Sequence, residues 1–516
     1  MTVTQPSRRD RRRDLASGLQ RPTYESWARY GRDVVQQLSG LDSSFLAMET
    51  PGVYGHVGSV CVVDPKSRPE PLDLHTLTEF VASRLPLVPV FRQRLLEVPL
   101  GLDHPCWIED PEFDIECHIR EIALPEPGSD AQLEEQVARL HARRLDRARP
   151  LWEMYLIHGL HDGRAAIYSK VHHAAIDGVS GNDLLTAILD TSAEGRVLPE
   201  PEPWDPEDPP SASELVVRTA TALAGHPVRS ARLVSGLARS APALIATTVA
   251  RVPQLNNVPL LGRFSRVGDD GVLAQPGLRA PETPFNAPIS AHRRWAFADL
   301  SLTEVKRIKN VAGVTVNDVV MAVCAGALRR WLADHDALPD EPLVAAVPIS
   351  VRSEEQRGQH GNQVAVMFAG LPTQVADPLA RLDAVHEEMR AAKEQFGATP
   401  AGLLADASQF AAPVLANQAW RLVARLRLLE RLNPWNLFIS NVPGPSVPLY
   451  FAGALVIAYY PVSALPEGQG LNITVMSYRD QLHVGLVSDR YLVPDLDNLA
   501  VHLHDELKVL SAVVPG

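Results

Sequence analysis

Cysteine is scarce and scattered. The four in 516 residues, Cys61, Cys106, Cys117 and Cys324, include no CxxC pair, which argues against a disulfide framework and against a cysteine-based structural zinc site. A reducing cytoplasm fits that usage. Positive charge is also in deficit, with 49 Lys and Arg against 61 Asp and Glu and a formal net charge of −12. The chain therefore lacks the basic footprint that neutralises phosphate backbones, and nucleic acid is not an expected partner. Long apolar runs are missing as well: none reaches the roughly 18 residues a membrane-spanning helix requires, so membrane contact is expected to be peripheral. What remains is ordinary for a globular chain, 46% apolar and 21% charged, and too long for a single core.

The chain divides by composition. "RRDRRR" at Arg8 to Arg13 lies in a polar leader without the apolar stretch a secretory signal needs, so residues 1–37 read as a disordered arm or a misassigned start. Residues 38–203 mix periods: "HVGSVCVVD" alternates, whereas "LHTLTEFVASRL" and "QLEEQVARLHARRLD" repeat as amphipathic helices, which together make one α/β lobe. The proline- and acid-rich "LPEPEPWDPEDPPSAS" continues neither helix nor sheet and marks a linker. Within 204–285 follows a helical crossover in which Arg218, Arg229, Arg232, Arg239 and Arg251 punctuate small apolar residues. It reads either as helices packed on the lobes or as a surface that docks on anionic lipid. Residues 286–516 form a second α/β lobe, with a buried helix in "NDVVMAVCAGALRRWLADH", a buried strand in "LVAAVPISVR", and strands or hairpins in "NLFISNVPGP", "LVIAYYPVS" and "GLNITVMSYRDQLHVGLVSDR".

The chemistry concentrates in "KVHHAAIDGVSG". His172 and His173 end a strand-like run, "AAIYSKVHH", and adjacent strand residues point to opposite faces, so the two do not readily ligate one ion. No HExxH, HxH or carboxylate cluster completes a metal set, and no metal is expected. Gly178 eases the exit from the strand, while Ser180 and Asp183 have capping-box spacing before "LLTAILD". The positive end of such a helix would favour a neutral imidazole, which is what a general base at pH 7 needs. Asp177 could orient an imidazole or brace the turn. No GxSxG or similar nucleophile motif stands nearby, so direct transfer is simpler than an acyl-enzyme. On the residues alone, a purely structural histidine pair remains the alternative.

The motif HHxxxDG, met here by His172, His173, Asp177 and Gly178, resembles that of the bacterial wax ester synthase/acyl-CoA:diacylglycerol acyltransferase family. Chloramphenicol acetyltransferases, carnitine acyltransferases and peptide-synthetase condensation domains share it. Further stretches narrow the resemblance: "LSGLDSSFLAMETPGVYGHVGS", "RPLWEMYLIHGL", "TVNDVVMAVCAGALRRWL", "VPISVRSEEQRGQHGNQVAVMFAGLP" and "LFISNVPGPSVPLYFAGA", in family order over most of residues 38 to 505. The arm is the departure. The resemblance implies two chloramphenicol-acetyltransferase-like lobes with an active-site tunnel between them, and no cofactor beyond acyl-CoA as substrate. The implied acceptor is diacylglycerol, with a long-chain fatty alcohol as the alternative; a noncatalytic lipid-body surface protein, which would need the amphipathic segment but not His173, is a reading of a different class. His173 becomes the expected base and His172 a structural partner. Asp177 is expected either to pair with Arg352 or to cap the turn; Arg352 itself could be a surface charge. Ser440 and Asn441 are oxyanion candidates or turn formers. Asn317 and Asp318 either cap a helix or line the tunnel, and Pro150 to Trp152 is expected to pack beneath the site. The implied location is cytoplasmic, held peripherally at the inner membrane face or on lipid droplets.

Overall fold

The computed structural model describes residues 35–99, 103–176, 185, 187–198, 204, 206, 208–225, 280–350, 364–398 and 433–514. In chain order the first half runs β1 (Val35–Gln37), α1 (Gly40–Ala47), β2 (His56–Asp64), α2 (Leu74–Arg84), β3 (Gln93–Leu96), β4 (Cys106–Glu109), β5 (Ile119–Ala123), α3 (Asp130–His141), β6 (Trp152–His158), β7 (Ala165–His172) and α4 (Ala212–Gly225). The second half runs β8 (Arg293–Ser301), α5 (Leu302–Ala312), α6 (Val316–Asp334), β9 (Leu343–Ser350), β10 (Val364–Leu371), α7 (Pro378–Ala398), β11 (Leu437–Val442), β12 (Tyr450–Phe451), β13 (Ala454–Val462), β14 (Leu471–Tyr478), β15 (Gln481–Asp489) and α8 (Leu496–Val513).

Two six-stranded sheets organise these elements into two lobes. One has the order β12-β13-β2-β7-β6-β5, the other β10-β9-β11-β14-β15-β8. The second is antiparallel except around β11, which runs parallel to both β9 and β14. Helices α6, α7 and α8 cover one of its faces, and α6 is buried nearly all round because Val319 to Leu328 is an unbroken run of small and apolar residues. Its start is set by Thr315 and Asp318, which form a reciprocal capping box. Among the described residues no single helix is long and apolar enough to cross a membrane.

Two expectations need correction. The arm does not stay unstructured to residue 37, because β1 pairs with β4, Val35 lying opposite Ile108. Its backbone groups find partners on an otherwise open strand. The second lobe also does not keep its own strands. β12 and β13 leave it and add to the sheet of the first, with Val462 opposite Gly58 on β2. Ala452 and Gly453 make this exchange sharp: both have positive φ, 48° and 81°, the two-residue geometry of a tight hairpin.

The lobes meet through a shared core. On α3, Leu133, Val137 and Leu140 recur at helical spacing and bury against Tyr155 and Tyr168 of the first sheet, each contributing roughly 2 kcal/mol. The same cluster includes Trp295 and Val487 of the second sheet. Polar bonds fasten it, with Trp295 Nε1 donating to Pro461 O at 3.3 Å and Tyr460 Oη to Asp299 Oδ2 at 3.0 Å.

Candidate active site

β7, an inner strand of the first sheet, carries the histidine pair at its C-terminal end. Its alternation sends Lys170 and His172 to one face of the sheet and Ile167 and Val171 to the other. His172 ends the strand because its own side chain caps the turn that follows: Nδ1 accepts the Ala174 N–H at 3.1 Å, and residues His173–Ala175 wind into a 3₁₀ turn. The two rings consequently have separate surroundings. His172 is buried, its backbone N–H donating to Leu151 O at 2.9 Å. His173 is half-buried, its backbone N–H donates to Gly55 O at 2.8 Å, and its ring stacks on Phe45 with centroids 4.1 Å apart.

Phe45 is held by α1, whose N-cap Ser39 accepts the Asp42 N–H at 3.2 Å. The segment after α1 then wraps the pair from below. The Glu49 side chain is only 7% exposed; Oε1 lies 3.3 Å from His172 Nε2 and accepts the Gly55 N–H at 2.8 Å, and Oε2 takes Arg147 Nη2 at 2.7 Å. Burial alone would raise the Glu49 carboxyl. The His172 ring at 3.3 Å, the hydrogen bond from Gly55 and the positive charge of Arg147 outweigh it and lower its pKa to about 2. Gly55 must be glycine, since a Cβ there would sit 2.5 Å from His172 Nε2.

Behind His172 lies a buried polar layer. Lys170 is fully enclosed, donating to Arg143 O at 2.9 Å and Leu140 O at 3.2 Å and pairing with Glu153 Oε2 at 3.1 Å. Burial lowers its pKa, with Glu153 opposing. His56, opposite His172 in the sheet, bonds His141 O through Nε2 at 2.7 Å, and His141 Nδ1 meets Tyr168 Oη at 2.9 Å. Burial pushes both imidazoles down, His56 well below its usual value and His141 to about 3, the nearby positive charges adding to the effect.

Sequence reading missed Glu49, Phe45 and Lys170. Lys170 carried a usable signal, lying two residues before His172 on the same strand. Glu49 and Phe45 sit where no periodicity singles them out. Trp152 packs in the core as expected: it stacks on Phe91 and His118, and its Nε1 donates to Phe91 O at 2.8 Å. On the second lobe, Asn441 Nδ2 donates to Asn317 Oδ1 at 3.3 Å, so an oxyanion candidate meets a cap-or-tunnel candidate. Asp318 is buried and serves the α6 cap, Oδ2 accepting the Thr315 N–H at 2.9 Å and pairing with His386 Nδ1 at 2.8 Å. Ser440 is half-buried on β11, opposite Thr474. Asp177, Gly178 and Arg352 lie outside the described residues.

Two mixed six-stranded sheets, one with a strand that ends in paired histidines, define a two-lobed α/β class, and a solved structure shares that fold. The first condensation domain of the calcium-dependent antibiotic synthetase shares the fold at 16% identity, with a TM-score of 0.51 over 94% of this chain and 98% of that one. The particular family is narrower. The wax ester synthase/diacylglycerol acyltransferase catalytic domain matches residues 38–320 and the C-terminal domain of the same family residues 360–511, and the chain belongs to this family of acyltransferases. The wax ester synthase/diacylglycerol acyltransferase of Marinobacter aquaeolei VT8 superposes with a TM-score of 0.65 at 30% identity, covering 92% of this chain and 99% of that one. A protein named for diacylglycerol O-acyltransferase activity in Mycobacterium tuberculosis is 35% identical over 494 residues, 96% of this chain and 92% of that one. A counterpart in Mycobacterium bovis is 36% identical over 478 residues, 92% and 98%.

Proposed function

We propose that the protein transfers a long-chain fatty acyl group from CoA to diacylglycerol, giving triacylglycerol, with His173 as general base and no acyl-enzyme. The observation that carries this reading is the placement of the pair. The His172 ring is buried, with Nδ1 taken by the Ala174 N–H and Nε2 3.3 Å from Glu49, whereas the half-buried His173 ring, steadied by Phe45, is the more exposed of the two and is the one this reading assigns to the chemistry. In the proposed step the imidazole takes the proton of the acceptor hydroxyl as its oxygen attacks the thioester carbonyl. The carbon–sulfur bond then breaks, and the proton passes to the departing thiolate as free CoA forms. Holding both substrates in line would supply much of the rate.

The name of the Marinobacter relative covers both acceptors, so a long-chain alcohol giving wax ester is the second reading. A competition between dioleoylglycerol and hexadecanol for limiting palmitoyl-CoA separates the two: triacylglycerol in excess supports the first, and wax ester alone overturns it. Peripheral contact with a lipid surface belongs to the same proposal. α4 leaves Val216 and Val217 38% and 62% exposed beside Arg218, an apolar and basic face suited to an interface. Flotation with anionic vesicles should weaken in V216S/V217S; unchanged flotation would reject α4 as the contact.

A further inference from the structure

We propose that Glu49 is a positioning residue of the reaction, a single buried carboxylate that fixes both members of the histidine pair; the proposal rests on the reading of His173 as the base. Nothing in the motif itself assigns it. The argument begins at His172 Nδ1, which accepts the Ala174 N–H and therefore carries no proton. The ring proton of neutral His172 must then sit on Nε2, 3.3 Å from Glu49 Oε1. Glu49 and the Ala174 amide together choose the tautomer and the ring angle, in the way a carboxylate orients an imidazole in other catalytic assemblies.

The same oxygen reaches the second histidine by another path. Glu49 Oε1 accepts the Gly55 N–H at 2.8 Å, and Gly55 O accepts the His173 N–H at 2.8 Å. The carboxylate thus sets the backbone peptide from which the base is hung, and its other oxygen is tied to Arg147 at 2.7 Å and to Arg144 at 3.5 Å. Arg147 in turn donates to Leu46 O at 2.7 Å, next to Phe45 whose ring stacks on His173. One anion holds the strand end, the turn and the stacking helix in a single frame. The Glu49 pKa, held near 2, keeps that anion charged throughout the working range.

An amide cannot replace it. If the oxygen of a glutamine faced Gly55 and His172, its NH₂ would face the guanidinium donors of Arg147 and Arg144. If it were turned around, the NH₂ would face the Gly55 N–H and the His172 ring proton. E49Q, nearly the same shape, should therefore let the base drift. Misplacement of about 1 Å costs about 10²-fold in rate, so kcat should fall about 10- to 100-fold while KM for palmitoyl-CoA and dioleoylglycerol stays within about twofold of wild type. E49D, which keeps the charge, should retain more kcat than E49Q. A merely structural Glu49 would instead lower the folded fraction or leave kcat per folded molecule intact. Wild-type kcat in E49Q, or a loss carried by KM alone, overturns the proposal. Should E49Q fail to fold, R147M, altered at a half-exposed residue, takes its place: reduced kcat at constant KM supports the role and unchanged kcat overturns it. H173A keeps the two layers apart. Full activity in H173A rejects the base assignment, whereas an inactive H173A beside a fully active E49Q rejects Glu49 alone.

Discussion

His141 and His56 stand one layer behind the histidine pair, and both are kept neutral by burial. Their depressed pKa values have a definite consequence for stability. The unfolded chain protonates these rings below their ordinary value of 6.5, while folded His141 resists protonation until about pH 3. Between those limits the unfolded state binds more protons, so stability is full above pH 6.5 and falls as the pH drops, by up to about 1.4 kcal/mol per pH unit for each ring. Glu49 adds to the same trend between 4.5 and about 2. Urea unfolding at pH 7.5 and 5.0 should show this loss, and H141Q, without one of the titrating rings, should show a shallower slope; equal slopes would contradict the account. At this scale the sequence was informative only where pattern met chemistry. The alternation of "AAIYSKVHH" places Lys170 on the face of His172, but the two histidines part for another reason: the strand ends at His172 and His173 opens a 3₁₀ turn. Glu49 was not legible, because its partners are 123 and 98 residues away in sequence, at His172 and Arg147.

Elements read well when their signal was local. In α5 the signal is the sequence "TEVKRIKNVAG" itself, a helix stopped by Gly313 in the left-handed region at φ 72°. The hairpin expected in "GLNITVMSYRDQLHVGLVSDR" is β14 and β15, joined by a turn with Arg479 at φ 55°. The buried helix expected in "NDVVMAVCAGALRRWLADH" is α6. The strand β13 shows the limit. Its alternation in "LVIAYYPVS" tells which residues face a core but not which sheet supplies the neighbours, and it pairs with β2, almost 400 residues earlier. The hairpin that delivers it depends on Gly453 at φ 81°, where a Cβ would also approach Ala193 O to 3.2 Å. G453V should cost about 2 kcal/mol, read as a lower urea midpoint; an unchanged midpoint would show that the turn does not constrain the exchange.

The exchanged hairpin makes the two lobes one folding problem. β2 would lose its β13 partner and expose a bare edge if the chain were divided at residue 286, and the shared cluster around Tyr168, Trp295 and Tyr460 would open. Residues 1–285 and 286–516 expressed apart should each lack a cooperative unfolding transition, whereas a cooperative transition in 1–285 alone would show the first lobe to be self-sufficient. The half-buried imidazole stands where the strand ends, between the turn at Gly55 and the ring of Phe45. The most direct test is turnover of labelled palmitoyl-CoA and dioleoylglycerol by H173A, compared with wild type at equal folded fraction. The account predicts a loss of about 10²- to 10⁴-fold in triacylglycerol formed, with the thermal midpoint retained. Triacylglycerol formed at the wild-type rate would contradict it.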